Sequence, residues 1–399
     1  MTDIAVIGAG ASGLTAAVFA ARLGAGVTVF EKNDRIGRKL MATGNGRCNL
    51  TNTNISLDRY HGSDRDFCKF GLESFGSEDA IRFFEEMGLL TRVEDEGKVF
   101  TYCGRASAVI DVFRMEAEKL GIDIRSGFDV KEIIRRKSAF EIVSWNGGHE
   151  FAQKVIFAAG GKSAGDLGGG SSGYDILKKL GHTTTELYPS IVQLRTDTEA
   201  IKGLKGIKTL AKVTMGEKHC EGELLFTDYG VSGPPIFSLS SYYNEVASDK
   251  LIIDFFPDID EKRLYMLLKE KSENILRPEN LFTGIAHKNI GSAIMKMAGV
   301  SPAAVLSPSD IKAVCGAAKA FCLKLTGTQS WNNAQVTKGG ICTNEINNET
   351  MESKKCPGIY ITGEILDVDG DCGGFNLQWA WSSGYLAAAA AASKLYIQE

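Results

Sequence analysis

The chain has 399 residues, 44% hydrophobic and 24% charged, which excludes a disordered or fibrous protein and, at about 150 residues per domain, predicts two or three globular domains. A net charge of −4 and a pI near 5.9 give no overall basic field, so neither a nucleic-acid partner nor a membrane is expected. Nine scattered cysteines, with no C-x-x-C and no H-E-x-x-H, argue against a disulfide framework and a metal site and fit a reducing cytoplasm.

Met1-Thr2-Asp3 leads straight into an apolar strand over residues 4–7 without a preceding basic stretch, so no export signal is expected. Gly8, Gly10 and Gly13 then form G-x-G-x-x-G, and residues 14–23 read as an alanine-rich helix. In this pattern the first glycine permits the turn out of the strand and the second lets backbone approach a pyrophosphate. The third allows close helix–sheet packing, and the phosphates sit on the unpaired amides of the helix start. Residues 27–30 make a second buried strand ending at Glu31, 23 residues after Gly8, where a carboxylate accepts hydrogen bonds from ribose hydroxyls and disfavours a 2′-phosphate. The expected ligand is FAD or an NAD-like nucleotide rather than NADP.

Residues 37–52 are polar and glycine-rich without periodicity, and are expected to be a functional loop. Helical patterning follows over 80–87 and 106–120. Residues 128–134 and 140–144 read as neighbouring antiparallel strands, and 154–161 as a buried strand ending in Gly160-Gly161. From 191 to 334 the style shifts, with strands over 209–215, 223–227 and 250–256 and helices over 261–271, 288–297 and 309–324, which predicts an inserted domain. The final segment returns to nucleotide-fold logic: residues 358–364 form a strand ending in Gly363-Glu364, followed by Gly373-Gly374 and a long alanine-rich helix.

Placed on one sheet, these strand ends and helix starts meet at its carboxyl edge, where doubly wound sheets bind ligands. Glu364 is there either to hydrogen-bond hydroxyls of a ribityl or ribose chain or as a plain strand-end carboxylate. Gly373, Gly374, Phe375 and Asn376 form the first turn of the last helix, whose free amides face the sheet edge. For a flavin such a turn stabilises the negative charge that reduction pushes toward N1 and the C2 carbonyl.

The strings GRKLMATGNGRCNLTN, AAGGKSAGDLGGGSSGYDILKKLGH, GELLFTDYGVSGPPIFSLS, QVTKGG and GIYITGEILDVDGDCGGFNLQWAWSSGYLAA span nearly the whole chain in order. They resemble the BaiN-like, or aminoacetone-oxidase-like, family of FAD-dependent oxidoreductases. The resemblance implies an α/β fold: a Rossmann-type FAD-binding domain of the glutathione-reductase class over residues 1–190 and 335–399. An inserted β-barrel over 191–258 and 325–334 and a helical lobe over 259–324 interrupt it. It also implies non-covalently bound FAD. Carried onto this sequence, Gly8, Gly10, Ala11, Ser12 and Gly13 hold the pyrophosphate, Glu31 and Lys32 lie near the adenosine ribose, and Val130 offers backbone to adenine. Arg38, Lys39, Thr43, Gly44, Asn45, Gly46, Cys48 and Asn49 line the ribityl chain and flavin, with Gly160, Gly161, Gly363 and Glu364 beneath. Gly373, Gly374, Phe375 and Asn376 complete the ring site.

No catalytic side chain stands out, because flavin N5 carries the chemistry. Cys48 and Cys372 border the expected ring and are either a redox couple or unreactive small side chains. Arg47 either anchors a substrate anion or braces its loop. The leading expectation is hydride exchange between flavin and a small organic substrate. The directions are reduction of an unsaturated, steroid-like substrate, with NADH or NADPH as transient reductant, or oxidation of a small amine by oxygen. No second dinucleotide fingerprint appears in the insertion. An FAD-dependent RNA-modifying protein is the other enzyme class, which the acidic balance opposes; a flavin sensor is the non-enzymatic reading. The oligomeric state is not determined by these patterns.

Overall fold

The computed structural model describes residues 1–301, 305–393 and 395, so the ends of the predicted helical lobe's interior (302–304) and of the 335–399 segment (394 and 396–399) lie outside the described residues. The chain divides into two compact units, 1–189 with 335–399, and 190–334.

The first unit is built on a seven-stranded sheet. Thr2–Ile7, a run of β-branched residues, pairs in parallel with Val27–Glu31 on one side and His149–Phe157 on the other. Asp123–Ser126 extends the sheet in parallel beyond Val27–Glu31, and Ile359–Ile361 adds in parallel to His149–Phe157. The long His149–Phe157 strand also pairs, at its amino-terminal half, with antiparallel Phe140–Ser144, which in turn pairs antiparallel with Val130–Arg135. The central parallel segments 4–7, 27–30, 155–157 and Ile359–Ile361 are buried and read as largely apolar runs, whereas the edge strand Asp123–Ser126 is polar and partly exposed.

Two helices from opposite chain ends pack on one another beside this sheet. Ala11–Arg22 lies against Phe375–Ser393, and at Gly384 a Cβ would come 2.5 Å from the Ser12 carbonyl oxygen, so only glycine permits the approach. The last helix is apolar all round and correspondingly buried, with Trp379 and Trp381 enclosed. The Trp381 indole donates to the Leu50 carbonyl at 2.7 Å, and its ring meets Phe84 edge-on at 5.1 Å.

The stretch 37–52, expected to lack regular structure, contains the short helix Arg38–Ala42, the tight turn Thr43–Gly46 and the strand Asn49–Asn52. That strand pairs with Lys98–Thr101, which pairs with Thr91–Val93. A polar four-residue strand has no period to betray it; its partner some 50 residues on makes it one. The strand over 154–161 ends at Phe157, and the one over 358–364 spans Ile359–Ile361, so Gly160, Gly161, Gly363 and Glu364 lie beyond the strand ends.

The second unit is a closed antiparallel barrel in the order Leu194–Thr196, Gly230–Ser232, Lys218–Phe226, Lys208–Met215, Lys250–Asp254, Phe321–Thr328, the last returning to the first. The helices Glu261–Glu273, Lys288–Met297 and Pro308–Lys319 connect its fifth and sixth strands. Closure removes the exposed edges that an open sheet would present. One expectation is corrected here. The helix over 309–324 stops at Lys319, and the barrel resumes at Phe321 rather than 325. Buried Ile311, Val314, Cys315 and Ala318 keep helical spacing, whereas buried Phe321, Leu323 and Leu325 alternate with exposed Cys322 and Lys324, which is strand spacing. Among the described residues no helix is long and apolar enough to cross a membrane.

A buried polar staple sits in the first unit. The two ring nitrogens of His182 lie 3.0 Å from Glu345 Oε2 and 2.8 Å from Ser353 Oγ, and Glu345 also accepts from the Thr183 amide and hydroxyl. Burial pushes the imidazole below its ordinary pKa, against the opposing pull of the Glu345 carboxylate. A depressed histidine contributes stability that is present above the unfolded value of about 6.5 and lost as pH falls through the folded value. The apparent melting temperature is therefore expected to drop between about pH 7 and pH 5. His182→Gln should cost about 1–3 kcal/mol near neutrality and flatten that drop, as read by thermal unfolding across the pH series.

Candidate cofactor site

The carboxyl ends of four parallel strands supply the site. Gly8, Glu31, Gly160 and Gly363 follow or end those strands, and the amides of Gly8, Ala158 and Thr362 donate to the carbonyls of Phe30, Ile7 and Phe157, which locks the edge together. The strand–turn–helix at residues 7–14 is tight: a Cβ on Gly8, whose φ is +103°, would lie 2.4 Å from the Ala158 carbonyl oxygen, and one on Gly13 would lie 1.9 Å from the Gly8 oxygen. Gly10 has open space around it, and no side chain caps the helix it precedes. The first-turn amides of Ala11, Ser12 and Gly13 thus lie at an uncapped helix start, the arrangement that takes up a phosphate.

Glu31 is buried and reaches back to this turn. Its Oε2 accepts from the Ala9 amide at 2.9 Å, and its Oε1 accepts from the Asn33 amide at 2.9 Å and side chain at 2.6 Å. An ionised carboxylate has about four acceptor positions, so capacity for a ribose hydroxyl remains. Lys32 is exposed nearby, beside Gly170. The Phe128 and Gly127 amides donate to the carbonyls of Glu31 and Asn33, which draws the segment leading to buried Val130 alongside. Arg38 donates to Asn33 Oδ1 at 3.1 Å and the Asp166 carbonyl at 2.9 Å, fastening the 162–171 loop to the same end.

Toward the middle of the edge, Lys39 Nζ lies 2.6 Å from both Ser163 Oγ and Glu364 Oε2. Glu364 Oε1 accepts from Ser163 Oγ at 2.7 Å and the Thr337 amide at 3.0 Å. Burial works to raise the Glu364 carboxyl, but the Lys39 ammonium, Ser163 and the Thr337 amide overcome it and hold it below the usual carboxylate range. Three protein donors thus engage the two Glu364 oxygens and brace the site floor, leaving, as at Glu31, about one acceptor position for a ligand hydroxyl. Gly161 is required there, since a Cβ would lie 2.4 Å from Thr337 Oγ1 and 2.5 Å from Glu364 Oε1. Gly160, in contrast, borders open space, and Ser12 Oγ lies against Gly363.

At the other end, Gly373 and Gly374 take φ values of +135° and +102° and lead into the helix Phe375–Ser393. Asn376 does not face outward. Its side chain accepts from the Gly370 amide at 2.8 Å and donates to the Gly370 carbonyl at 2.6 Å, closing the 370–376 turn. Asn52 donates to the Gly373 carbonyl at 2.9 Å. The neighbouring Asn49 Oδ1 is buried without a partner, 3.0 Å from where a Gly374 Cβ would stand. An unpartnered amide oxygen beside backbone amides suits a ring carrying both an imide N–H and carbonyl acceptors, so these residues fit a flavin.

The Thr43–Gly46 turn places Gly44, Asn45 and Gly46 at positive φ, followed by Cys48 at +57°. Thr43 donates to the Leu40 carbonyl at 2.6 Å. Burial pushes the Cys48 thiol up to about 12, with only slight relief from Thr43, so it carries almost no thiolate near neutrality. Cys372, partly buried, sits in the 370–374 turn. Arg47 forms an ion pair with Glu94, and its guanidinium lies 4.2 Å above the Phe100 ring, which assigns it to bracing its loop. Sequence reasoning missed Asn33, Ser163 and Thr337, none of which stands in a periodic or spaced pattern. Ser163, inside the quoted GGKSAGD string, had the best available signal.

Two helix starts at the carboxyl edge of a parallel sheet, with a carboxylate at the second strand end, define a Rossmann-type dinucleotide-binding protein, and its likeness to known proteins makes the chain an FAD-dependent oxidoreductase. It belongs to the HI0933-like protein Rossmann domain family, which it matches over residues 2–390. It is 34% identical over 410 aligned positions to the 3-dehydro-bile acid delta(4,6)-reductase of Clostridium scindens, covering 99% of this chain and 100% of that protein. It is 28% identical to the ribosomal RNA dihydrouridine synthase of Escherichia coli, covering 97% of each. In fold it is similar to the 3-ketosteroid delta1-dehydrogenase of Sterolibacterium denitrificans, with a TM-score of 0.54 and 14% identity over 98% of this chain and 99% of that one.

Gly374→Ala places a Cβ 2.5 Å from the Thr51 carbonyl at a φ of +102°, and should weaken FAD binding more than about tenfold, measured by fluorescence titration of the apoprotein. Alkylation by iodoacetamide near neutral pH, followed by mass spectrometry, should modify exposed Cys103 and Cys322 while leaving Cys48 untouched. Labelling of Cys48 as fast as Cys103 would show that its thiol is not sealed in.

Proposed function

We propose that this oxidoreductase saturates a carbon–carbon double bond conjugated to a carbonyl in a small cyclic substrate, with NADH or NADPH as the transient reductant. One observation carries the reading. The activities in the relatives' names, a delta(4,6)-reductase acting on a 3-dehydro bile acid and a dihydrouridine synthase, both amount to reduction of a ring double bond beside a carbonyl. A polarised olefin of this kind accepts hydride at the carbon remote from the carbonyl and a proton next to it.

FAD, when bound, supplies the two-electron hydride chemistry. The chain's own residues bind and orient it: the amides at 10–13 meet the pyrophosphate, Glu31 the ribose, and the 373–376 turn and Asn49 the ring. The Lys39–Glu364–Ser163 cluster holds the site floor rigid with its charge balanced. A small-molecule substrate is favoured over RNA by the net charge of −4, which supplies no general phosphate-binding field. The two ribosomal RNA relatives, at 28% and 29% identity, make RNA uracil the second reading. Nine scattered cysteines without a C-x-x-C pattern support a reducing, cytoplasmic setting.

Anaerobic stopped-flow absorbance tests the proposal. NADH or NADPH should bleach the flavin band, and a 3-oxo-Δ4 steroid or simple cyclohexenone should restore it, with a saturated ketone and an amine inert. Restoration by unmodified ribosomal RNA but by no enone would transfer the assignment to the second reading; bleaching by an amine alone would overturn the reductive direction.

A further inference from the structure

The segment 59–63 lies along the 367–375 segment and holds it in place. Tyr60 and His61 pair with Gly370 and Asp369, the Asp371 amide donates to the Arg59 carbonyl at 2.9 Å, and the Tyr60 hydroxyl donates to the Phe375 carbonyl at 3.1 Å. The Asp371 carboxylate is gripped from two sides: His61 Nε2 lies 2.8 Å from Oδ1, and Arg59 Nη1 lies 3.2 Å from Oδ2. His61 is 4% exposed, Asp371 18% and Arg59 50%, so the cluster is anchored inside and open to water at the arginine. The Arg59 guanidinium also lies 5.7 Å over the Phe375 ring, the first residue of the last helix.

An acid here needs an explanation. Asp371 stands four residues before the helix start that would receive the electron-rich end of the flavin, where a bare carboxylate opposes the negative charge gained on reduction. We propose that Arg59 neutralises Asp371 and His61 orients it, and that the three act as positioning residues that set the reduction potential of FAD through the 370–374 turn. The carboxylate gives the turn its fixed shape by tying it to 59–61, and the Arg59 guanidinium offsets the electrostatic penalty of having it there. The inference rests on the flavin assignment but not on the identity of the substrate.

The test uses holoenzyme without substrate. Midpoint potentials come from anaerobic dye-equilibrated reduction, alongside oxidised-FAD affinity and melting temperature, for wild type, Arg59→Met, Arg59→Lys, Asp371→Asn and the double variant R59M/D371N. Potential follows the ratio of dissociation constants in the two oxidation states, about 30 mV per tenfold for a two-electron couple. Arg59→Met should weaken the reduced form three- to tenfold relative to the oxidised one, a shift of about 15–30 mV to more negative potential that shrinks at high salt. Arg59→Lys and R59M/D371N should both lie within about twofold, or about 9 mV, of wild type. Arg59→Met binding oxidised FAD normally with an unchanged potential overturns the proposal. So does a common fall in FAD affinity and melting temperature across all variants with no reversal in the double one, which marks a merely structural clamp. Either outcome leaves the enone assignment standing, and failure of enones to reoxidise the enzyme leaves this proposal standing.

Discussion

Backbone amides at the start of a helix have no carbonyl within the helix to bind, and this molecule brings two such starts to one sheet edge. The helices Ala11–Arg22 and Phe375–Ser393 come from opposite chain ends and pack directly together at Ser12 and Gly384. Their first turns present positive partial charge where the parallel strands end. A ligand with a phosphate pair at one end and an electron-accepting ring at the other satisfies both. Much of the local chemistry follows from keeping those amides accessible: glycines at 8, 13 and 374 sit where a Cβ would strike backbone within 2.5 Å.

The carboxylates around that edge divide the work. Glu31 holds the Ala9 and Asn33 amides, Glu364 is tied to Lys39, Ser163 and Thr337, each with about one acceptor position to spare, and Asp371 is held by Arg59 and His61. A site that must accept negative charge cannot leave three acids bare in a low-dielectric setting, because like charges there repel strongly. Pairing Glu364 and Asp371 with cations and holding Glu31 with amides limits the negative charge left at the edge. The same logic removes Arg47 from the field, since Glu94 and the Phe100 face already occupy it.

Some of this was legible from local patterns. The Gly8–Gly10–Gly13 turn with Glu31 closing the second strand predicted both a nucleotide site and its position, because each residue's task depends on neighbours within one strand–turn–helix unit. Asn376 shows the opposite case. Its place in the helix-start turn was foreseen, yet its side chain closes the turn through Gly370, an outcome that depends on a bend six residues earlier. His61 and Asp371 lie far apart in sequence and share no motif, so only folding could reveal them as one cluster.

By itself the sequence determined the period of the first strand–turn–helix–strand unit, the glycines of its turn, the acidic end of the second strand and the interruption of the nucleotide fold between residues 190 and 335. These are properties of residues and their near neighbours, where sterics and hydrophobic spacing act directly. Only the tertiary structure decided that Phe321–Thr328 closes a barrel, that Asn49–Asn52 is a strand, that Cys48 is sealed from water and that Glu364 serves as a brace. Each of those depends on the atoms that chain closure brings within hydrogen-bonding distance, and separations of 50 to more than 300 residues leave no local trace of which atoms those are.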